Sequence, residues 1–257
     1  MDKIYRVSRG GETFYAVERD GEIRRATFRG AEIFDGYTPG SVIPGGLSGL
    51  KILTPVRPSK LVCVGLNYKD HASEMKKPLP AEPMLFLKPA TAILNPRDAI
   101  RIPPGVGRID HEAELAVVIG RRAHRVTRAN AWDHILGITC LNDVTARDVQ
   151  NKEIQYTRAK GFDTFAPFGP CIAVGADGAP HRVEGWVNGE RRQGSTTGQL
   201  IFPIDFLVEY ITFVMTLEPG DIISTGTPSG VGPLVAGDVV TVKIEGVGEL
   251  ENPVEDE

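Results

Sequence analysis

The segment Asp110 to Gly120 (Asp-His-Glu-Ala-Glu-Leu-Ala-Val-Val-Ile-Gly) constrains this chain more than any other. Its β-branched, apolar second half reads as a strand, and two glutamates, Glu112 and Glu114, lead into it. Alternate residues of a strand share a face, so the two carboxylates project side by side. Like charges that close repel strongly unless a cation or shared protons compensate. A divalent metal resolves the conflict, and hard oxygen donors favour magnesium, manganese or calcium. An edge strand with both acids facing water is the other reading of the same residues.

Composition narrows the setting. With 257 residues, 41% of them hydrophobic, the chain can bury a sizeable core, as one large domain or one domain with a small appendage. The 29 glycines and 19 prolines imply many turns, hence a strand-rich architecture. A net charge of -4 and no long Lys/Arg run speak against nucleic acid as a partner. The opening Met-Asp-Lys-Ile-Tyr-Arg lacks an apolar signal core, and no run reaches membrane-spanning length, so no membrane partner is expected. Cys63, Cys140 and Cys171 are odd in number and set in apolar surroundings, which reads as buried free thiols and a cytoplasmic location.

Residues 1–55 form a distinct opening, expected to be a small β-rich module. Ile4 to Val7 and Thr13 to Val17 alternate, with turns at Gly10-Gly11 and Asp20-Gly21. The Gly/Pro-rich stretch from Gly36 to Gly49 reads as a connector. Residues 56–257 form the main body. Strands are expected at Lys60–Gly65, Met84–Leu87 and Gly137–Asp143, and a hairpin turns at Asn188-Gly189. Asn67 to Met75 has helical potential, Thr127 could cap a helix running to Ile135, and one amphipathic helix lies between Pro203 and Met215. Strands outnumber helices in no strict βαβ rhythm, which predicts an α+β fold with a mixed β-sheet. No G-x-G-x-x-G or P-loop occurs, so no nucleotide cofactor is implied.

A metal held by two glutamates usually recruits a third carboxylate, and Asp143, ending a predicted strand, is the best candidate. Taken alone, Asp143 reads more readily as a cap for a helical turn over Thr145 to Gln150. Three carboxylates leave part of an octahedral shell open to a bidentate ligand, above all a 2-oxo acid. The metal would then stabilise an enolate as a Lewis acid. His71 and Glu74 stand at i and i+3, where a carboxylate can orient a histidine and raise its basicity, though such pairs also decorate solvated helices. Lys160, among glycines and aromatics, could pair with a substrate carboxylate or with Asp163, or lie on the surface. The loop Thr225 to Gly232 could receive a carboxylate on its backbone N–H groups, or be only a turn. His111 alternates to the face opposite the glutamates and reads as structural.

Together these segments resemble the fumarylacetoacetate hydrolase family. The resemblance is to its small form, which includes acylpyruvases, oxaloacetate decarboxylases and the homoprotocatechuate-pathway isomerase/decarboxylases. The matching stretches are Gly65-Leu66-Asn67-Tyr68 with His71 and Glu74, Phe86-Leu87-Lys88-Pro89, His111-Glu112-Ala113-Glu114-Leu115, and Asn142 to Asp148 with Gln150. They continue through Lys160-Gly161-Phe162-Asp163, Val187-Asn188-Gly189, Met215 to Asp221 and Thr225-Gly226-Thr227-Pro228, in the family's order.

The resemblance implies a mixed β-roll fold, a homodimer, and Mg²⁺ or Mn²⁺ on Glu112, Glu114 and Asp143, with Ca²⁺ as a non-native occupant. It also implies a His71/Glu74 dyad on a lid that orders over substrate, and Lys160 holding a chelated 2-oxo acid. Arg147, Gln150 and Thr227 match substrate-binding positions of larger members. Those members carry a further acidic metal ligand upstream of the lid, for which this sequence has no equivalent. The expected activity is C–C hydrolysis of acylpyruvates or decarboxylation of oxaloacetate through a metal-bound enolate. The alternative is isomerisation of 2-hydroxyhepta-2,4-diene-1,7-dioate or decarboxylation of 5-carboxymethyl-2-oxo-hex-3-ene-1,7-dioate in aromatic catabolism. A non-catalytic binding protein is the third reading.

Overall fold

The computed structural model describes residues 1–30 and 32–257. Its opening strands are β1 (Lys3–Arg9), β2 (Glu12–Arg19), β3 (Glu22–Phe28), β4 (Tyr37–Val42) and β5 (Lys51–Leu53). Then come β6 (Leu61–Gly65), helix α1 (Lys69–Glu74), β7 (Met84–Lys88), β8 (Ile93–Leu94), β9 (Ile100–Ile102) and β10 (Ile109–His111). The middle of the chain holds β11 (Ala113–Ile119), β12 (Ile135–Asn142), β13 (Thr145–Ala146), α2 (Arg147–Lys152), α3 (Thr157–Lys160) and β14 (Ala166–Val174). The remainder is β15 (Arg182–Val187), β16 (Glu190–Thr196), α4 (Ile204–Val214), β17 (Ile222–Ser224), β18 (Gly232–Leu234), β19 (Val239–Ile244) and β20 (Gly248–Asp256).

A large sheet runs β4-β3-β2-β1-β14-β12-β11-β17-β6-β7, with β5 and β8 joined at its side. Most pairs are antiparallel, whereas β17 and β6 are parallel. A five-stranded sheet, β16-β15-β19-β20-β9, packs across β11, β12 and β14. This is the mixed-sheet α+β architecture that the sequence predicts. No helix among the described residues is long and apolar enough to cross a membrane.

β11 shows why its sequence is apolar without interruption. Leu115, Val117 and Ile119 enter the core against Val183, Val242 and Ile244 of the second sheet. Ala116 and Val118 enter a separate core with Ile4, Phe168 and Ile222. A strand buried on both faces cannot alternate polar residues. It sits between β12 and β17, so the edge-strand reading of Glu112 and Glu114 falls.

Three local expectations shift. The stretch from Gly36 to Gly49 contains β4, which pairs with β3 at the sheet's border. Its Pro39 and Gly40 disguise it, because an edge strand tolerates residues that a central ladder rejects. The helix after Thr127 is 3-10, spans Arg128–His134, and takes no side-chain cap from Thr127. Glu112 lies in the link between β10 and β11, where the chain passes from a small three-stranded sheet to the large one.

The opening hairpins form at the predicted turns and join the large sheet where Lys3 and Ile4 pair with β14. The Asn188-Gly189 hairpin and the helix after Pro203 form as predicted, and the three cysteines are buried and unbridged.

Candidate active site

One cavity of about 810 Å³ gathers residues from five separate stretches. Its floor is acidic. Single carboxylate oxygens of Glu112, Glu114 and Asp143 all lie within 4.8 Å of one another, and all three residues are buried. The link before β11 supplies Glu112, β11 supplies Glu114, and the residue just past β12 is Asp143. The backbone locks the junction: Asp143 N donates to Glu112 O at 2.9 Å, and Asn142 Oδ1 accepts from Glu112 N at 2.9 Å. Asp143 does not cap a helix. The following helix, α2, begins at Arg147 with Ala146 at its cap.

Cations surround two of the three acids. Lys160 Nζ donates to Glu112 Oε2 at 2.8 Å and to Asp143 Oδ2 at 2.6 Å. Lys88 Nζ reaches Asp143 Oδ1 at 2.5 Å, and Arg147 Nη2 reaches Glu112 Oε1 at 2.5 Å. Burial alone would raise the Glu112 carboxyl, but Lys160 and Arg147 hold it down at about 2. Burial would lower Lys160, yet Asp143 and Glu112 keep it above the ordinary lysine value.

Glu114 differs. Its partners are the Ser224 hydroxyl and the Gly226 N–H at 2.9 Å, both neutral. Burial, then the charges of Asp143 and Glu112, push its carboxyl up to about 8. A buried acid with like-charged neighbours and no cation of its own fits a site for a divalent ion. The all-oxygen donor set fits Mg²⁺ or Mn²⁺.

The dyad residues reach the same cavity from α1. His71 Nδ1 stands 3.0 Å from Glu74 Oε2, and both side chains line the cavity. The base of α1 is fixed by Asn67, whose side-chain nitrogen donates to Phe202 O and Thr225 O. Asn67 Oδ1 also accepts from Phe202 N at 2.8 Å, and Ser195 Oγ donates to Asp70. Gly230 N donates to Glu74 at 3.1 Å. The loop from Thr225 to Gly232 therefore receives carboxylates, as its sequence suggests, but they are the protein's own: Glu114 at Gly226 and Glu74 at Gly230. Gly226 has φ +99°, and a Cβ there would come within 2.8 Å of Asn67 Cβ, so only glycine fits this crossing.

Gln150 and Arg147 pair with each other and line the cavity, as does Thr227. Thr227 donates to Ala113 O at 2.9 Å and accepts from Gln193 at 2.8 Å. Lys160 pairs with Glu112 and Asp143 rather than with Asp163, and it is buried. His111 points away into a contact with Gln193.

Residues 60–255 match the family model described as fumarylacetoacetate (FAA) hydrolase, C-terminal. The chain belongs to the fumarylacetoacetate hydrolase family. It is 40% identical to the crystal structure of a 2-hydroxyhepta-2,4-diene-1,7-dioate isomerase from Mycobacterium marinum, with a TM-score of 0.90 over 100% of this chain and 99% of that one. It is 52% identical over 237 residues to a protein of Archaeoglobus fulgidus, covering 92% of this chain and 89% of the relative. It is 41% identical to the mitochondrial oxaloacetate tautomerase fahd2 of Xenopus laevis, over 80% of this chain and 69% of that protein.

Two groups beside this site in the family fold escaped the sequence reading. Lys88 appears there only as part of a matching motif, yet its ammonium is sealed against Asp143. The available signal was a lysine closing an apolar strand immediately before a proline. Asp110 is buried and pairs with Arg108 at 2.6 Å and Arg147 at 2.7 Å. It stands two residues before Glu112, the same spacing that singled out Glu114.

Proposed function

We propose that this chain is a Mg²⁺- or Mn²⁺-dependent enzyme that moves a proton between the keto and enol forms of a small 2-oxo acid or dicarboxylate. The observation that carries the reading is the meeting, in one cavity, of a histidine–carboxylate pair with three converging buried carboxylates. The names of two relatives, an oxaloacetate tautomerase and a diene-dioate isomerase, describe proton transfer of this kind and favour it over bond cleavage.

Glu112, Glu114 and Asp143 would hold the cation, which when bound supplies Lewis-acid polarisation of a 2-oxo acid. Lys160, already cationic between two carboxylates, would turn one N–H toward the substrate's carboxylate. Arg147 and Gln150 offer donors around it, while Thr227, whose hydroxyl proton goes to Ala113 O, borders the same cavity. His71 would take a proton from the carbon next to the ketone and return it at oxygen or at the far end of a conjugated system. Glu74 fixes the ring through Nδ1, so Nε2 is the nitrogen left to act. Gly230 in turn fixes Glu74.

Hydrolysis of an acylpyruvate or decarboxylation of oxaloacetate is the second reading. The His71 side chain keeps 15% of its surface exposed, so a water molecule can reach the same base. The homodimer and the cytoplasmic location expected from the sequence belong to this proposal as well.

The test uses oxaloacetate in D₂O. Deuterium entry at C3 and the enol–keto ratio are followed by NMR, and pyruvate by a coupled dehydrogenase. Accelerated exchange that EDTA abolishes and Mg²⁺ restores is expected. Pyruvate release without faster exchange would move the assignment to the second reading.

A further inference from the structure

We propose that Arg6 and Arg57 form a second ligand site, outside the catalytic cavity, for a small carboxylate with a short apolar body. A separate cavity of about 390 Å³ is bounded by these two arginines with Leu53, Val56, Ile93 and Asn95. That volume lies in the range of small-molecule pockets. Arg6 projects from β1 and is only 8% exposed, while Arg57 is exposed at the rim. Arg6 Nη1 donates to Thr54 O at 2.9 Å. Among the described residues, no carboxylate forms an ion pair with either guanidinium. Burial, and then the charge of neighbouring Arg57, lower the Arg6 value. A buried, unpaired charge is costly, and an arriving anion relieves it.

The surroundings select the anion. The nearby acid Asp98 is already held by Lys51 at 3.0 Å and by the Asn95 amide at 2.8 Å. Asn95 Oδ1 accepts from Thr54 N at 2.9 Å, which uses up that backbone donor. Pro55 and Pro58 have no N–H to give. A planar carboxylate matches a guanidinium fork, and the apolar walls favour an anion that carries a hydrocarbon body over a bare phosphate. The walls of Leu53, Val56 and Ile93 accept a short hydrocarbon body.

The experiment titrates the ¹⁵N-labelled full chain with butyrate and follows the Arg6 and Arg57 Nε–H resonances. A saturable shift at both is expected, with none from butyramide, and Arg57→Ala should weaken the apparent Kd at least tenfold. Shifts confined to Arg147, which lines the catalytic cavity, would overturn the proposal. So would equal shifts with butyramide. An Arg6 resonance that responds to protein concentration and not to butyrate would assign the pair to a contact between copies, and would also overturn it.

Discussion

Lys88 Nζ lies 2.5 Å from Asp143 Oδ1, and neither side chain has more than 1% of its surface exposed. The same ammonium donates to Val144 O at 3.0 Å, while Lys160 takes the other Asp143 oxygen. Asp143 is thus clamped on both oxygens, and Lys88 holds the chain where β12 ends. Removing one partner of such a buried pair costs about 3 kcal/mol or more, because the other charge remains buried. Lys88→Met should lower stability by about that amount, read as a fall in the urea midpoint of the EDTA-treated protein. An unchanged midpoint would show that Lys160 alone satisfies Asp143.

Glu114 and His71 separate binding from chemistry. Glu114→Ala removes an oxygen from the acidic cluster and should abolish Mg²⁺ or Mn²⁺ binding by calorimetry. His71→Ala should leave metal affinity within a few-fold, yet slow turnover by about 10²-fold or more, the usual scale for a general base. Equal metal loss in the two variants would contradict this division.

The Glu114 carboxyl, pushed up to about 8 by burial and its acidic neighbours, couples metal binding to pH. Below that value the metal-free protein carries the proton, and a cation must displace it. The sign follows: affinity should rise about tenfold per pH unit on approaching pH 8 and flatten above it. About one proton should leave on Mg²⁺ binding at pH 7, measured by calorimetry in buffers of different ionisation enthalpy. Buffer-independent heats would count against it.

Asn67 ties α1 to Phe202 and Thr225 through three hydrogen bonds and touches no carboxylate of the cluster. Asn67→Ala leaves those buried backbone groups unpaired, at about 1–3 kcal/mol, and frees the helix that carries the dyad. Turnover should fall while metal affinity holds. Loss of metal affinity in this variant would mean that α1 supports the acidic floor directly.

Much of the site was legible because its residues stand in short, ordered motifs. Glu112 and Glu114 share a two-residue spacing, His71 and Glu74 a three-residue one, and the structure brings both pairs to one cavity. β4 was not legible, because its pairing with β3 uses backbone groups that carry no side-chain signature. Lys160 was only half legible. A lysine among glycines and aromatics can sit anywhere, and its ammonium finds Glu112 and Asp143 only after α3 folds under β7.

The sequence by itself determined the strand-rich α+β class, the apolar strand that became β11 and the candidate carboxylates, since periodicity and spacing are local properties of the chain. Tertiary structure alone decided which charges meet. Lys88 faces Asp143 across 55 residues, and Arg147 faces Glu112 across 35. Electrostatic pairing depends on distance in space, which the order of residues does not encode until the sheets close.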